Sequence, residues 1–242
     1  MGPYLILLLT SLLASVIQAT MGFGSALILL NVLPLYLPLN KAVALMQASL
    51  IVLNIVFTVR YWKKVRWDVL YPALIPAAVS GMVFALWSVS MEMSVLFIFL
   101  GVLFIFISVY ELALSGRIRV KPDKKTGFLM GLLSGLGNGF FGIAGPPVAM
   151  YLAPSLDDNL EYFASSQCFF LFSSVPCLLA RLISGIYVAD DLPYLAVMTA
   201  GLVFGVAFGL VILKKIETKL LRKLIYGFIG LNGVYIIVKQ FV

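Results

Sequence analysis

The sequence predicts an all-α integral membrane protein built from two inverted-topology repeats, each a broken or re-entrant helical hairpin followed by three transmembrane helices. Three observations lead to this fold class. Hydrophobic residues make up 62% of the 242 residues and charged residues 11%, and the mean hydropathy of +1.10 exceeds what a soluble fold of this size can bury. The basic residues are clustered, and small, amide-bearing and proline residues recur at a spacing of 120 positions.

The recurrence relates the two halves of the chain. Gln18 has its counterpart in Asn138 and Gln47 in Gln167, both at a spacing of 120 residues. An internally duplicated membrane protein is typically a transporter whose site lies where the copies meet. The predicted domains are an N-terminal repeat over residues 1–115, a basic cytoplasmic linker over 116–125 and a C-terminal inverted repeat over 126–242.

The charges indicate the topology. Of the 17 Lys and Arg residues, 14 fall in three short clusters, at residues 60–66, 117–125 and 214–223. Such clusters between apolar stretches are typical of cytoplasmic loops. They favour a multi-pass protein of the cytoplasmic (inner) membrane over a nucleic-acid-binding surface.

Six apolar stretches are long enough, or nearly so, for tilted transmembrane helices. They cover residues 42–60, 69–90, 93–114, 161–183, 192–213 and 224–240. Two further apolar stretches, residues 3–38 and 126–155, are interrupted at Gly22-Phe23-Gly24 and at Gly142 to Pro147.

The interrupted stretches are predicted to be hairpins. With all basic clusters in the cytoplasm, residues 126–155 must enter and return on the cytoplasmic side. About 15 residues per arm reach roughly 22 Å, short of a hydrocarbon core of about 30 Å. By the same interpretation, residues 3–38 form a hairpin that starts and ends outside. Both termini are then outside, and the two copies are inverted.

The breaks are the candidate anion site. Gly145-Pro146-Pro147 predicts a helix start, where unpaired amides and the helix dipole favour an anion, and Gly22-Phe23-Gly24-Ser25 is its counterpart. Buried amide side chains at repeat-related positions suggest a shared cavity, although each could instead tie helices together. The predicted substrate-binding residues are Gln18, Gly22, Phe23, Gly24, Ser25, Gln47, Asn138, Gly142, Gly145, Pro146, Gln167 and Arg181.

Two polar residues are less clearly placed by the sequence. Arg181 lies about 30 Å along its helix from an inner end near Glu161, so we expect it to snorkel to outer headgroups in preference to guiding an anion. Asn54 has only Ser174 opposite it in the repeat and is a weaker candidate.

Other chemistry is not supported by the sequence. The chain has no His and no Cys/Asp/Glu cluster, so we predict no metal site, no cofactor and no enzymatic activity. No carboxylate falls convincingly at mid-membrane, which argues against a proton relay. Sodium coupling through broken-helix carbonyls and a homo-oligomeric state both stay open.

The early Gly22-Phe23-Gly24, the glycine-rich run ending in Gly145-Pro146-Pro147, the duplicated halves and the basic linker resemble the sulfite exporter TauE/SafE family over nearly the whole chain. The resemblance implies transport, usually outward, of small sulfur-containing anions such as sulfite or organosulfonates, in contact with membrane lipid. The alternatives are an anion channel, an importer of thiosulfate or another sulfur source with Cys168 as its most interesting residue, and a membrane-embedded enzyme or assembly factor.

Overall fold

The computed structural model describes residues 2–114, 123–186, 191–212 and 218–241. These residues form ten α-helices and no β-strand, which confirms the all-α prediction. The helices are α1 (Gly2–Met21), α2 (Ser25–Val32), α3 (Leu39–Tyr61), α4 (Trp67–Ser90), α5 (Met93–Val109), α6 (Lys124–Phe141), α7 (Gly145–Leu152), α8 (Asn159–Ile183), α9 (Leu192–Ile212) and α10 (Thr218–Val238). The predicted basic linker lies mostly outside the described residues.

The six predicted spans correspond to α3, α4, α5, α8, α9 and α10. In the described residues, four helical segments are long and apolar enough to cross a membrane: Leu39–Lys64, Trp67–Ser90, Met93–Leu114 and Asn159–Ile183. Large apolar side chains such as Ile75, Val83 and Phe106 are exposed on the outside of the bundle. In a multi-pass membrane protein this surface faces lipid tails.

Both predicted interruptions are present, and glycine makes them possible. The backbone turns through Gly22 and Gly24, with φ of 79° and 114°, and through Gly142, with φ of 70°. Residues with a Cβ adopt this left-handed region only at a steric cost. α2 and α7 then begin at Ser25 and Gly145, as the sequence predicts.

The arms of the hairpins are unequal, so the estimate of about 15 residues per arm is wrong. The long arms α1 and α6 have 20 and 18 residues, and the short arms α2 and α7 have 8 each. The short arms end early because Pro34 and Pro154 follow closely. Proline lacks the N–H that the next helical turn requires.

Contacts near the helix ends identify the two ends of the bundle. At one end Tyr4 stacks on Tyr194 at 5.1 Å between ring centroids, and Lys41 pairs with Asp191 at 3.0 Å. The starts of α1, α3 and α9 therefore lie together, and the α1–α2 hairpin returns to the end from which it starts.

The opposite end carries the basic turn after α3. Arg66 pairs with Glu161 at 3.3 Å, and Lys64 with Asp158 at 3.6 Å. The hydrogen bonds that Arg66 donates to Asp68 and Glu161 raise the pKa of its guanidinium. Since α3 ends here and α8 starts here, these two corresponding helices run antiparallel.

Asp123 starts α6 beyond this end of the bundle. Its carboxylate accepts a hydrogen bond from Thr126 N at 2.7 Å, as an N-cap residue does. This bond lowers the pKa of Asp123. The long arm of the second hairpin therefore begins at a capped, charged turn.

Small residues let the long arms pack closely on the other half of the chain. α6 packs on α4 and α1 packs on α9. A Cβ added at Gly139 would lie 2.5 Å from Gly81 O, and one added at Gly201 would lie 2.8 Å from Leu8 O. Small residues at these positions therefore allow the helix backbones to approach closely. In the repeat, α1 corresponds to α6 and α9 corresponds to α4. The α1–α9 contact is therefore the counterpart of the α6–α4 contact.

Candidate anion-binding site

A cavity of about 40 Å³ lies where the two breaks meet. At ~10–15 Å³ for a single water, this volume suits a few waters or one compact oxyanion. Its wall is formed by the first turn of α2, the α6–α7 break, and side chains of α1, α3 and α8. Eight predicted site residues line it: Gln18, Phe23, Gly24, Ser25, Gln47, Gly142, Gly145 and Pro146.

The two breaks touch each other directly. A Cβ built on Gly145 would lie 2.7 Å from Cδ2 of Phe23. The ring of Phe23 therefore occupies the space that a larger residue at the start of α7 would need. Glycine at this position allows the starts of α2 and α7 to approach one another beside the cavity.

The first amide cluster closes the cavity on the α1 side. Gln18 Nε2 donates to Gln167 Oε1 at 3.0 Å and to Asn54 Oδ1 at 3.2 Å. Gln167 Nε2 donates to the carbonyl of Gly22 at 2.8 Å, and Ser25 Oγ donates to Gln18 Oε1. All five residues are buried, and the hydrogen bonds between them offset part of the cost of burying their polar groups.

The second amide cluster lies at the other break and pairs the corresponding residues with donor and acceptor exchanged. Gln47 Nε2 donates to both the backbone O and the Oδ1 of Asn138, each at 3.1 Å. Ser174 Oγ donates to Asn138 Oδ1, and Asn138 Nδ2 donates to Ser173 Oγ, both at 3.3 Å. The pairs Gln18–Gln167 and Asn138–Gln47 are related by the 120-residue spacing.

The direction of the hydrogen bonds determines which groups face the cavity. The Gly22 carbonyl can only accept, so Gln167 donates to it with Nε2 and accepts with Oε1. Gln18 Nε2 therefore donates to Gln167 and also to Asn54 Oδ1. Asn54 Nδ2 donates to no described residue, and Asn54 lines the cavity. This N–H₂ group is available to an occupant.

Arg181 does not snorkel to lipid headgroups, and that expectation is wrong. Its side chain is 0% exposed and turns inward from the last turn of α8. Nη1 donates to Gln47 Oε1 at 3.0 Å, and Nη2 donates to Phe140 O at 3.1 Å and to Gly139 O. The acceptors of these hydrogen bonds are backbone carbonyl oxygens and a side-chain amide oxygen, and they hold the guanidinium inside the bundle. It lies behind Gln47 and does not line the cavity.

Backbone donors are more numerous at the first break than at the second. α2 has no side-chain cap, and its first intrahelical bond is from Ile28 N to Gly24 O. The amides of Ser25, Ala26 and Leu27 precede that bond and so have no intrahelical acceptor, and these three residues line the cavity. In α7 the second and third positions are Pro146 and Pro147, which have no N–H. The start of α2 therefore has more unpaired backbone N–H groups than the start of α7.

The residues that line the cavity differ in part from the predicted site residues. Gly22, Asn138, Gln167 and Arg181 lie behind the wall and orient the residues in front of them. Asn54 and Ser174 line the cavity, although the sequence ranks Asn54 low and does not select Ser174. Their spacing of 120 residues is the signal that could have identified both.

The cysteines and acidic residues add no second type of site in the described part of the chain. No group of three His, Cys, Asp or Glu there could hold a metal ion. Cys168 and Cys177 are free and buried. Cys168 packs in an apolar cluster with Ala164 and Phe169 and does not line the cavity.

A comparison with protein families finds a model described as "Sulfite exporter TauE/SafE", which matches residues 7–236. No curated protein and no solved structure matches the chain. The match includes both breaks, both amide clusters and all the helices that form the cavity.

Proposed function

Because the chain belongs to the sulfite exporter TauE/SafE family of membrane transporters, we propose that it exports small sulfur-containing anions such as sulfite or organosulfonates. The observation that carries the proposal is the cavity between the two breaks. Its lining has no Asp or Glu, and its available donors are backbone N–H groups of α2 and the amide of Asn54. These groups match the oxygens of a sulfite or sulfonate group.

The donors are suited to binding followed by release. A charge-assisted hydrogen bond from a neutral donor contributes about 1.5–3 kcal/mol. The positive end of α2 adds a further attraction for negative charge. No cationic side chain contacts the cavity, so a bound anion forms no direct ion pair that must break before it leaves.

The cycle that we propose is alternating access of two inverted repeats, residues 1–115 and 126–242. Antiparallel α3 and α8, and the reciprocal packing of α1 on α9 and α6 on α4, support this assignment. Ion pairs close both ends of the bundle, at Lys41–Asp191 and at Arg66–Glu161. Opening one set at a time would expose the anion to one side and then to the other.

We propose that the protein lies in the cytoplasmic membrane. Its basic end then faces the cytoplasm. The basic turn at residues 60–66 follows the positive-inside bias, and both chain termini are then outside. An anion leaving a negative interior gains about 2.3 kcal/mol per charge per 100 mV. Outward movement of an anion therefore requires no coupling ion.

The function is tested with purified protein in liposomes loaded with sulfite or an organosulfonate. We expect saturable efflux of the unaltered anion, faster when the electrical potential favours its exit. Currents of channel magnitude in a planar bilayer would instead assign a channel. Uptake of thiosulfate in preference to sulfite would assign an importer, and the absence of flux for every sulfur anion would contradict the proposal.

Replacement of Gln47 by leucine is expected to weaken sulfonate binding by roughly 10- to 100-fold, because the hydrogen bonds that hold Asn138 and Arg181 in place behind the cavity wall are lost. Gln47 lines the cavity and connects Arg181 to Asn138. Binding is measured by the rise in apparent Tm with methanesulfonate. The matched control is Gln240→Leu, at the chain end beyond α10, which should bind as the unaltered protein does. If the Gln47→Leu and Gln240→Leu variants bind methanesulfonate with equal affinity, Gln47 does not contribute to the site.

A further inference from the structure

Arg181 is a buried cation without a carboxylate partner in the described part of the chain. The four ion pairs found there join other residues. Its Nε is buried without a hydrogen-bond partner, so its environment satisfies the guanidinium incompletely. A buried charge left without a counterion is costly, and this one sits directly behind a residue of the cavity wall, Gln47.

The bonds of Arg181 show where its charge acts. The carbonyls of Gly139 and Phe140 belong to the last turn of α6, whose final carbonyls have no intrahelical partners. These carbonyls form the negative end of the α6 dipole. That end lies beside the cavity, since Gly142 directly follows α6 and lines it. Left alone, it would repel an anion.

At the first break, no cation of the described residues hydrogen-bonds to the corresponding helix end. There the carbonyl of Gly22 accepts a hydrogen bond from the neutral amide of Gln167 at 2.8 Å. The position related to Arg181 by the repeat spacing is Tyr61. A neutral amide is therefore sufficient to satisfy a carbonyl at a broken helix in this protein, and hydrogen bonding alone does not explain a buried guanidinium at the second break.

We propose that Arg181 is the charge-selectivity residue of the transporter: it neutralises the C-terminal end of α6, so that the potential in the cavity is positive and an anion binds. This inference rests on the proposed function and specifies how that site chooses its substrate. Arg181 acts as a positioning residue, because it holds Gln47 Oε1 at 3.0 Å and leaves contact with the anion to other groups. Because the position that corresponds to Arg181 in the first repeat is Tyr61, this positive charge acts at the second break.

The test compares variants that remove the charge, Arg181→Gln and Arg181→Met, with Arg181→Lys, which keeps it. Arg60→Gln is the matched control, because Arg60 occupies the last turn of α3 as Arg181 occupies that of α8, but is exposed. The measurements are KM and maximal rate for sulfite efflux. Methanesulfonate and its neutral analogue methanesulfonamide are compared by thermal shift.

We expect the neutral variants to raise KM for sulfite at least tenfold and to lose discrimination between methanesulfonate and methanesulfonamide. Arg181→Lys should stay within about threefold of the unaltered protein, and Arg60→Gln should not differ from it. An unchanged KM with a lower maximal rate overturns the proposal, as does equal impairment of Arg181→Lys and Arg181→Gln. If Arg181→Lys folds and neither neutral variant does, the charge serves folding and the proposal also fails.

Failure of the proposed function gives a different result. In that case the unaltered protein moves no sulfur anion, whatever residue is at position 181. The thermal-shift comparison still decides the role of Arg181, because it measures preference for an anion over its neutral analogue without transport.

Discussion

Asn54→Asp is expected to abolish anion binding while leaving the helices in place. The change is nearly isosteric, and the oxygen that accepts from Gln18 Nε2 at 3.2 Å is retained. The other oxygen replaces the N–H₂ group available to the cavity and puts a negative charge beside the anion. At about 4 Å and an effective dielectric constant of ~20, two unit charges repel by about 4 kcal/mol. The expected loss of affinity is therefore close to a thousandfold.

The measurement is the methanesulfonate-dependent rise in Tm, with sulfite efflux as a second readout. Methanesulfonate affinity of the variant should recover as the pH falls, because the protonated carboxyl is neutral and donates a hydrogen bond. The matched control is Asn159→Asp, an exposed residue in the first turn of α8, which should bind normally. A variant at position 54 that binds methanesulfonate normally at neutral pH would show that this amide does not face the anion.

Gly135→Val is expected to destabilise the helix bundle strongly. A Cβ at this position would lie 2.6 Å from Ala77 O and 3.0 Å from Ala77 Cα, and closer still to Ser80 Oγ. Two of these atoms belong to the α4 backbone, so a side-chain rotation cannot relieve the overlap. Overpacking typically costs about 1–3 kcal/mol and sometimes more, and backbone contacts favour the upper end of that range.

The yield of monodisperse protein in detergent and its Tm measure this effect. Gly227→Val is the control, because a Cβ at Gly227 in α10 meets no atom within 4 Å. We expect a large fall in yield and Tm for the variant at position 135 and nearly normal values for the control. Similar behaviour of the two variants would be inconsistent with close packing of α6 on α4.

Local features made the helices and their breaks predictable. A run of apolar residues long enough to span a membrane has few alternatives to a helix, because backbone groups in lipid must be satisfied within the segment. Gly22 and Gly142 interrupt such runs because glycine adopts positive φ readily. The family resemblance was likewise readable from these glycine and proline positions, and the family match confirms it.

The lining of the cavity was predictable in part. The repeat spacing identified Gln18 and Gln47, which line the cavity. The same spacing also selected Asn138 and Gln167, whose hydrogen bonds place them in the layer behind. Spacing along a helix shows which residues share a face, but not which of two amides lies nearer to the neighbouring helix.

The sequence by itself determined that this protein is a helical membrane protein with two glycine breaks, because hydropathy and backbone freedom are properties of short segments. Only the tertiary structure decided that Arg181 turns inward and that Asn54 keeps a free donor at the cavity. Those outcomes depend on partners distant in the chain, Gln47 for the arginine and Gln18 for the asparagine. Helix packing brings these partners together, and a charge is stable inside the bundle only where such acceptors converge.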